Sequence, residues 1–296
     1  MRHEALQKNI YTQRINRAMD YIEQNICEEL SLTQIADAAC FSPYHFHRIF
    51  RAMTGETVNQ FTSRLRVEKA ARRLKQNPAI SITDAALDMG FASPSTFARS
   101  FQARFGMSAS QWRRDASASV EAIDGETVVL ERPVSGLVAD KAEVCKLAPR
   151  TVAYVRRTGN FQERPEIFGE AFGALMAWAG PRGLAHGAEM MCLFHDDPQV
   201  TDVELMRFSS CLTLRGPADV EGEVGKMVVG GGRYACGHFV ITHDQSQAAW
   251  EYMYGDWLPM SGYEPENMPC FQLYPSMTDE TGPHEVVICI PVRPLS

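Results

Sequence analysis

The sequence predicts a multi-domain protein. An all-α N-terminal domain built from two copies of one helical unit precedes an α+β domain of two pseudo-symmetric strand-helix-strand repeats on an antiparallel sheet. Three observations carry this. First, the formal net charge of −7 over 296 residues is an average. Residues 1–118 hold 16 Lys+Arg against 11 Asp+Glu, whereas residues 119–296 hold 13 against 25. Second, apolar residues recur at helical spacing before the break, and short β-rich runs follow it (TVVLERPV, RTVAYVRR, CLTLR, GHFVIT, EVVICIPV). Third, each half repeats internally. The small, polar stretch after Asp115 has the composition of a flexible linker. The expected domains are therefore 1–114, a linker over 115–125, and 126–296.

The helical repeat sets Ser31-LTQIADAACFSPYHFHRIFRAMTG-Glu56 beside Ser81-ITDAALDMGFASPSTFARSFQARFG-Met107. Phe41 matches Phe91 at a separation of 50; Phe46, Arg48, Phe50, Gly55 and Phe61 match Phe97, Arg99, Phe101, Gly106 and Trp112 at 51. Ser31 or Thr33 caps the first helix of the first unit. Ser42-Pro43 and Ser93-Pro94 put an N-cap ahead of a proline at the first helical position, and Gly55 and Gly106 stop the second helices. Two short helices across a tight turn make a helix-turn-helix, whose second helix lies in the major groove. The all-α half is thus a double helix-turn-helix.

Opposite the phenylalanines, the second helices offer Tyr44, His45, His47, Arg48 and Arg51, and Ser95, Thr96, Arg99 and the more distal Arg104. Arginine reaches guanine O6 and N7 with two hydrogen bonds, while Ser, Thr and His make weaker base contacts. Between the units, Phe61-TSRLRVEKAARRL-Lys75 reads as a connecting helix. It would hold the recognition helices for successive major grooves on one face of double-stranded DNA, roughly 34 Å apart.

This half resembles the AraC/XylS family of transcription regulators. SLTQIADAACFSPYHFHRIFRAMTG and ALDMGFASPSTFARSFQARFGMSASQWRR carry the resemblance. It implies a bipartite seven-helix DNA-binding domain, base contacts at Tyr44, His47, Arg48, Ser95, Thr96 and Arg99, and recruitment of RNA polymerase as an activator.

The acidic half repeats at 80 residues for Tyr154 and Tyr234, Leu193 and Leu273, and Phe194 and Tyr274, and at 79 for Trp178 and Trp257. Each copy reads as strand, helix, strand, with helices at Phe168-GEAFGALMAWAGPRG and Gln245-SQAAWEYMYGDWLPMSG. Joined edge to edge, the copies place both helices on one face and leave a concave face near the pseudo-twofold axis as a pocket. Trp250, Tyr254 and Trp257 share a helical face, and Phe271-Gln-Leu-Tyr274 forms a strand. Aromatics there stack on planar ligands or surround cations, and they also serve as core.

This half resembles the GyrI-like effector-binding domain, through Phe194-HDDP-Gln199, Trp257-LPMSGYEP-Glu266, Phe271-QLYPS and Glu285-VVICIPV. The resemblance implies a small-molecule pocket between the two repeats, often for cationic amphipathic ligands; the candidate lining is Tyr154, Phe194, Trp250, Tyr254, Trp257, Gln272 and Tyr274. The family commonly has a carboxylate where this sequence has Gln272. A neutral amide leaves a buried cation without a counter-charge, so the expected effector is a neutral, hydrogen-bonding or aromatic molecule, or a cation held by aromatics alone.

Other classes are weighed on their residues. A composition of 45% hydrophobic and 22% charged residues excludes collagen-like and disordered chains. The eight cysteines form no CxxC pair, so no metal site is expected. The start lacks an apolar signal-peptide core, and Val286–Pro291 is too short to span a bilayer. A cytoplasmic protein with no membrane partner is expected. His195-Asp196-Asp197 and the His238 to Asp244 stretch could supply acid–base groups, yet no catalytic motif or cofactor fingerprint accompanies them. A hydrolase or a protein-docking module remains the alternative for the second half.

Overall fold

The computed structural model describes residues 2–77, 79–114, 137, 139–161, 163–198, 200–266, 268–275 and 282–294. The expected linker at 115–125 and the run TVVLERPV lie outside them. The chain divides into two compact units, Met1–Glu126 with Glu221–Gly225, and Thr127–Val220 with Lys226–Ser296.

The first unit is helical: α1 (Arg2–Gln24), α2 (Leu32–Ala38), α3 (Pro43–Thr54), α4 (Val58–Gln76), α5 (Ile82–Asp88), α6 (Pro94–Phe105) and a final helix α7 over 109–114. Ser31, not Thr33, caps α2, in a capping box with Gln34. Both α3 and α6 run for 12 residues from a proline to a glycine with left-handed backbone. The repeat takes physical form as two ladders of rings. Phe46 meets Phe50 at 5.6 Å and Phe50 meets Phe61 at 5.5 Å; Phe97 meets Phe101 at 5.3 Å and Phe101 meets Trp112 at 5.9 Å. Each edge-on pair adds about 0.5–1.5 kcal/mol to the burial of its rings. The connecting helix α4 packs against α5 and α6. Its buried Glu68 binds Arg64 at 3.2 Å and Arg104 of α6 at 3.0 Å, and Arg64 also binds Glu56 at 2.7 Å.

One position breaks the symmetry of the repeat. In the α5–α6 turn Gly90 has φ +75, and a Cβ there would meet the Cys27 carbonyl oxygen at 2.8 Å. Its counterpart in the α2–α3 turn is Cys40, a non-glycine residue with φ +54. A side chain in this region costs about 1 kcal/mol. Cys40→Gly is therefore expected to stabilise the protein by about 1 kcal/mol, read as a higher urea midpoint; an unchanged midpoint contradicts it.

The second unit is a nine-stranded antiparallel sheet: β1 (Lys141–Leu147), β2 (Arg150–Thr158), β3 (Met190–Phe194), β4 (Arg207–Thr213), β5 (Gly225–Val229), β6 (Gly232–Ile241), β7 (Tyr263–Pro265), β8 (Cys270–Tyr274) and β9 (His284–Pro294). The order is β1-β6-β9-β8-β3-β4-β2-β5, with β7 on β9. The first copy thus has two strands on either side of its helix, and the second has two before and three after, the short β7 included, rather than the single strands expected. The first strand of each copy pairs inside the other: β1 lies on β6, and β5 neighbours β2. The two copies join where β3 meets β8.

Helix α8 (Glu166–Ala179) packs on β2 and β4, with Phe168 4.2 Å from Phe208. The second helix is interrupted. After α9 (Ser246–Glu251) the chain widens into a π-helical segment over Tyr252–Trp257 before α10 (Leu258–Met260). Phe239 of β6 meets Tyr252 at 6.0 Å, and Phe194 of β3 meets Trp250 at 5.6 Å. Phe194 and Phe208 are paired across β3 and β4, and Gln272 of β8 pairs with both Cys192 and Ile288. Side chains alternate across a strand, so both helices cover one face of the sheet, as expected. Among the described residues, no helix is long and apolar enough to cross a membrane.

Candidate DNA interface and effector groove

The second helix of each unit buries its phenylalanines, Phe46 and Phe50 at 0% exposure and Phe97 and Phe101 at 1% or less. The opposite faces therefore look outward. His45, His47, Arg48 and Arg51 on α3 are exposed, as are Ser95, Thr96 and Arg99 on α6; the side chain of Tyr44 lies outside the described residues. The two helix starts differ chemically. Ser93 accepts the backbone N–H of Thr96, and its hydroxyl lies 3.0 Å from those of Ser95 and Thr96. Ser42 makes no such side-chain cap. The second unit therefore presents a cluster of hydroxyls one turn ahead of Arg99. Arg104 leaves the candidate surface, because its guanidinium is held by Glu68.

The aromatic candidates separate by strand parity. Phe194, Gln272 and Tyr274 lie on the helix-bearing face, where β3 and β8 join. Helix α9 brings Trp250 over Phe194, and Tyr254 stacks on Trp250 at 6.1 Å and 20°. From the other side α8 brings Phe172 edge-on to Tyr274 at 6.1 Å. His284 stacks on Tyr274 and meets His243 at 4.5 Å. The result is an aromatic cluster between the two helices, over the central strands.

Tyr154 is a correction. It lies on the opposite face, at 0% exposure, in a core with Met191, Leu193, Cys211, Tyr234 and Phe271. That face, expected to hold the pocket, is packed, and the candidates collect between the helices instead. Trp257 closes the π segment, whose i→i+5 turn shifts it out of the α-helical register with Trp250 and Tyr254. Like them and Tyr274, it packs half-buried against the cluster around Met253 and Leu258.

The floor of this aromatic cluster carries no formal charge at its described positions Cys192, Phe194, Gln272 and Tyr274. Gln272 is 3% exposed, and its amide oxygen accepts from the Ser246 hydroxyl at 3.4 Å. Burial pushes the Tyr274 phenol well up, with the nearby Cys192 thiol adding to it. The phenol therefore keeps its proton as a hydrogen-bond donor. Sequence reasoning missed Ser246, Phe172, His243 and His284. Ser246 and His243 stood in or beside the helix already identified, but only the packing shows that they reach the floor and rim.

Of the acid–base candidates, His195 and Asp196 are held in the core, whereas His243 and Asp244 are exposed. Asp196 holds Arg207 through two bonds of 2.6 and 2.8 Å, both side chains being 2% exposed. His195 is engaged with Ser209 at 2.9 Å and Arg156 at 3.2 Å. Among the described residues no three His, Cys, Asp or Glu side chains are grouped to hold a metal ion. A separate cleft of about 530 Å³, lined by Thr151, Leu214, Arg215, Lys226 and Met227, takes none of the predicted residues.

Residues 141–293 match the GyrI-like small molecule binding domain, and residues 35–115 match a helix-turn-helix domain. The chain is 27% identical over 157 residues to a DNA gyrase inhibitor of Edwardsiella ictaluri (strain 93-146), covering 52% of this chain and 98% of that protein. It is 32% identical over 112 residues to the HTH-type transcriptional activator AarP of Providencia stuartii, covering 38% of this chain and 79% of that protein. A solved AraC-type regulator from Chromobacterium violaceum is similar at 26% identity and a TM-score of 0.33, covering 35% of this chain and 92% of that one.

Proposed function

The chain belongs to the GyrI-like small molecule binding domain family, joined to an AraC-type helix-turn-helix region that makes it a DNA-binding transcription regulator, and from this premise we propose that its second half senses a neutral, hydrogen-bonding aromatic molecule. The observation that carries this is the floor of the aromatic cluster, where Gln272 and Tyr274 offer uncharged hydrogen-bonding groups among aromatic rings. A planar ring slides between Trp250 and Phe172, and its polar edge meets Gln272 and the Tyr274 hydroxyl. A cation bound there would lack a buried counter-charge, which is expensive in a dry site.

On this reading Tyr44, His45, His47, Arg48, Ser95, Thr96 and Arg99 face the DNA bases, and Arg51 faces phosphate. The protein acts from the cytoplasm as an activator that contacts RNA polymerase, with domains at 1–114 and 126–296 and a linker at 115–125. Ligand binding changes output by favouring one arrangement of the two domains over another. The second half binds and does not catalyse, in keeping with the regulator and inhibitor that it resembles.

Gln272→Glu tests the ligand class. Titrating a planar cationic dye and its neutral isostere by fluorescence, the wild type is expected to prefer the neutral ring. The variant is expected to bind the cation about tenfold more tightly, worth about 1.4 kcal/mol. Tight cation binding by the wild type that the variant loses would overturn the reading.

A further inference from the structure

The face of the sheet opposite the helices carries a group of thiols used by neither the DNA surface nor the aromatic cluster. Cys236 of β6 and Cys289 of β9 are directly opposed in the antiparallel register, with sulfurs 4.0 Å apart. They are 3% and 0% exposed. Cys145, half-buried on the outer strand β1, stands one pair along, opposite Tyr234, and its thiol hydrogen-bonds with Cys236.

Eighty residues earlier, the matching positions of the first copy hold Arg156 and Ser209. That pair is also directly opposed and hydrogen-bonded, at 3.1 Å. The duplicated fold therefore keeps a polar pair at this place in one copy and a dithiol in the other.

Directly opposed residues on antiparallel strands have Cα atoms about 4.5–5.5 Å apart, within the roughly 4.4–6.8 Å that a disulfide spans. Closing the bond from the present sulfur separation needs side-chain rotation and little backbone movement. The three thiols are not equivalent. Cys236 is held below the ordinary thiol range chiefly because Cys289 donates to it, burial opposing and Arg150 helping. Cys289 is pushed well up by that same bond and by burial. Burial raises Cys145 to about 11. Cys236 is thus the most readily ionised thiol of the group, with Cys289 and Cys145 pushed the other way. Oxidation selects thiol acidity, solvent access and a resolving partner; Cys289 is the resolving partner, and half-buried Cys145 marks the side from which the pair is approached.

We propose that Cys236 and Cys289 form a reversible dithiol that a hydroperoxide oxidises to a disulfide, reached from the β1 edge past Cys145. The Cys236 thiolate attacks one peroxide oxygen, and the O–O bond breaks. Hydroxide leaves and takes up the proton that Cys236 released on ionising, giving the first water and leaving Cys236 as a sulfenic acid. The Cys289 sulfur then attacks the Cys236 sulfur, and its proton leaves with the displaced hydroxyl as water. Two thiols and one hydrogen peroxide give one disulfide and two waters.

The test treats the reduced full chain with hydrogen peroxide, then denatures it, alkylates free thiols and maps the peptides. The expected result is a Cys236–Cys289 linked peptide and two fewer alkylated thiols of the eight, both reversed by dithiothreitol. In Cys289→Ser the sulfenic acid has lost its partner, so dimedone labelling at Cys236 is expected to rise at least tenfold over wild type. Eight free thiols after peroxide, or a disulfide joining Cys236 to any other cysteine, would overturn the proposal. Because the wild type carries the mapping, the outcome does not depend on the variant folding.

Discussion

Arg99→Ala is expected to weaken binding to the cognate site by roughly 1–3 kcal/mol, about 5- to 150-fold, while binding to random DNA changes little. Arg48→Ala should behave the same way at the other half of the site. Both residues sit on the outward face of a recognition helix whose inward face is fixed by two buried phenylalanines. The helix therefore cannot turn to compensate. Competition against random duplex at fixed salt separates the two kinds of contact. A phosphate contact would lower both affinities by the same factor and reduce the salt slope, and that result would remove these arginines from base readout.

Glu68→Ala is expected to cost about 2–3 kcal/mol of stability, because part-buried Arg104 loses its carboxylate while Arg64 keeps Glu56. Glu68, 4% exposed, joins Arg64 on α4 to Arg104 on α6. It thereby ties the connecting helix to the second recognition helix. Urea unfolding of wild type and variant reads the cost directly. Glu68→Gln keeps shape and hydrogen bonding, so it should fall between them. A change below 1 kcal/mol in Glu68→Ala would show that the network is well solvated.

The helical half was legible because its information is local. Ser93-Pro94 at a helix start, Gly106 at its end and the Phe97–Phe101 stripe each act within one turn, so the sequence reports them without knowledge of the fold. The duplication then confirmed each signal twice. Arg104 was not legible as a structural residue, because its partner Glu68 lies on another helix.

The sheet was less legible. Pairing β1 with β6 and setting β5 beside β2 joins segments far apart in sequence, and no local pattern encodes that exchange. The face taken by Tyr154 depends on strand parity, and a shift of one residue would reverse it. The π segment at Tyr252–Trp257 likewise defeated an extrapolation from α-helical spacing. Phe194, Trp250, Tyr254, Gln272 and Tyr274 nevertheless converge at the junction of the copies. There the repeat spacing had already located the axis of the domain.

The central claim is that one chain reads DNA with two recognition helices held by α4. The most direct measurement varies the spacing between the two half-sites of a selected binding site and follows affinity by anisotropy. Affinity should peak when the half-sites are one helical turn apart, about 10.5 base pairs. Insertion of five base pairs, which turns one half-site to the far side of the duplex, should weaken binding at least tenfold. Affinity that is indifferent to spacing, or that requires only one half-site, would contradict the account.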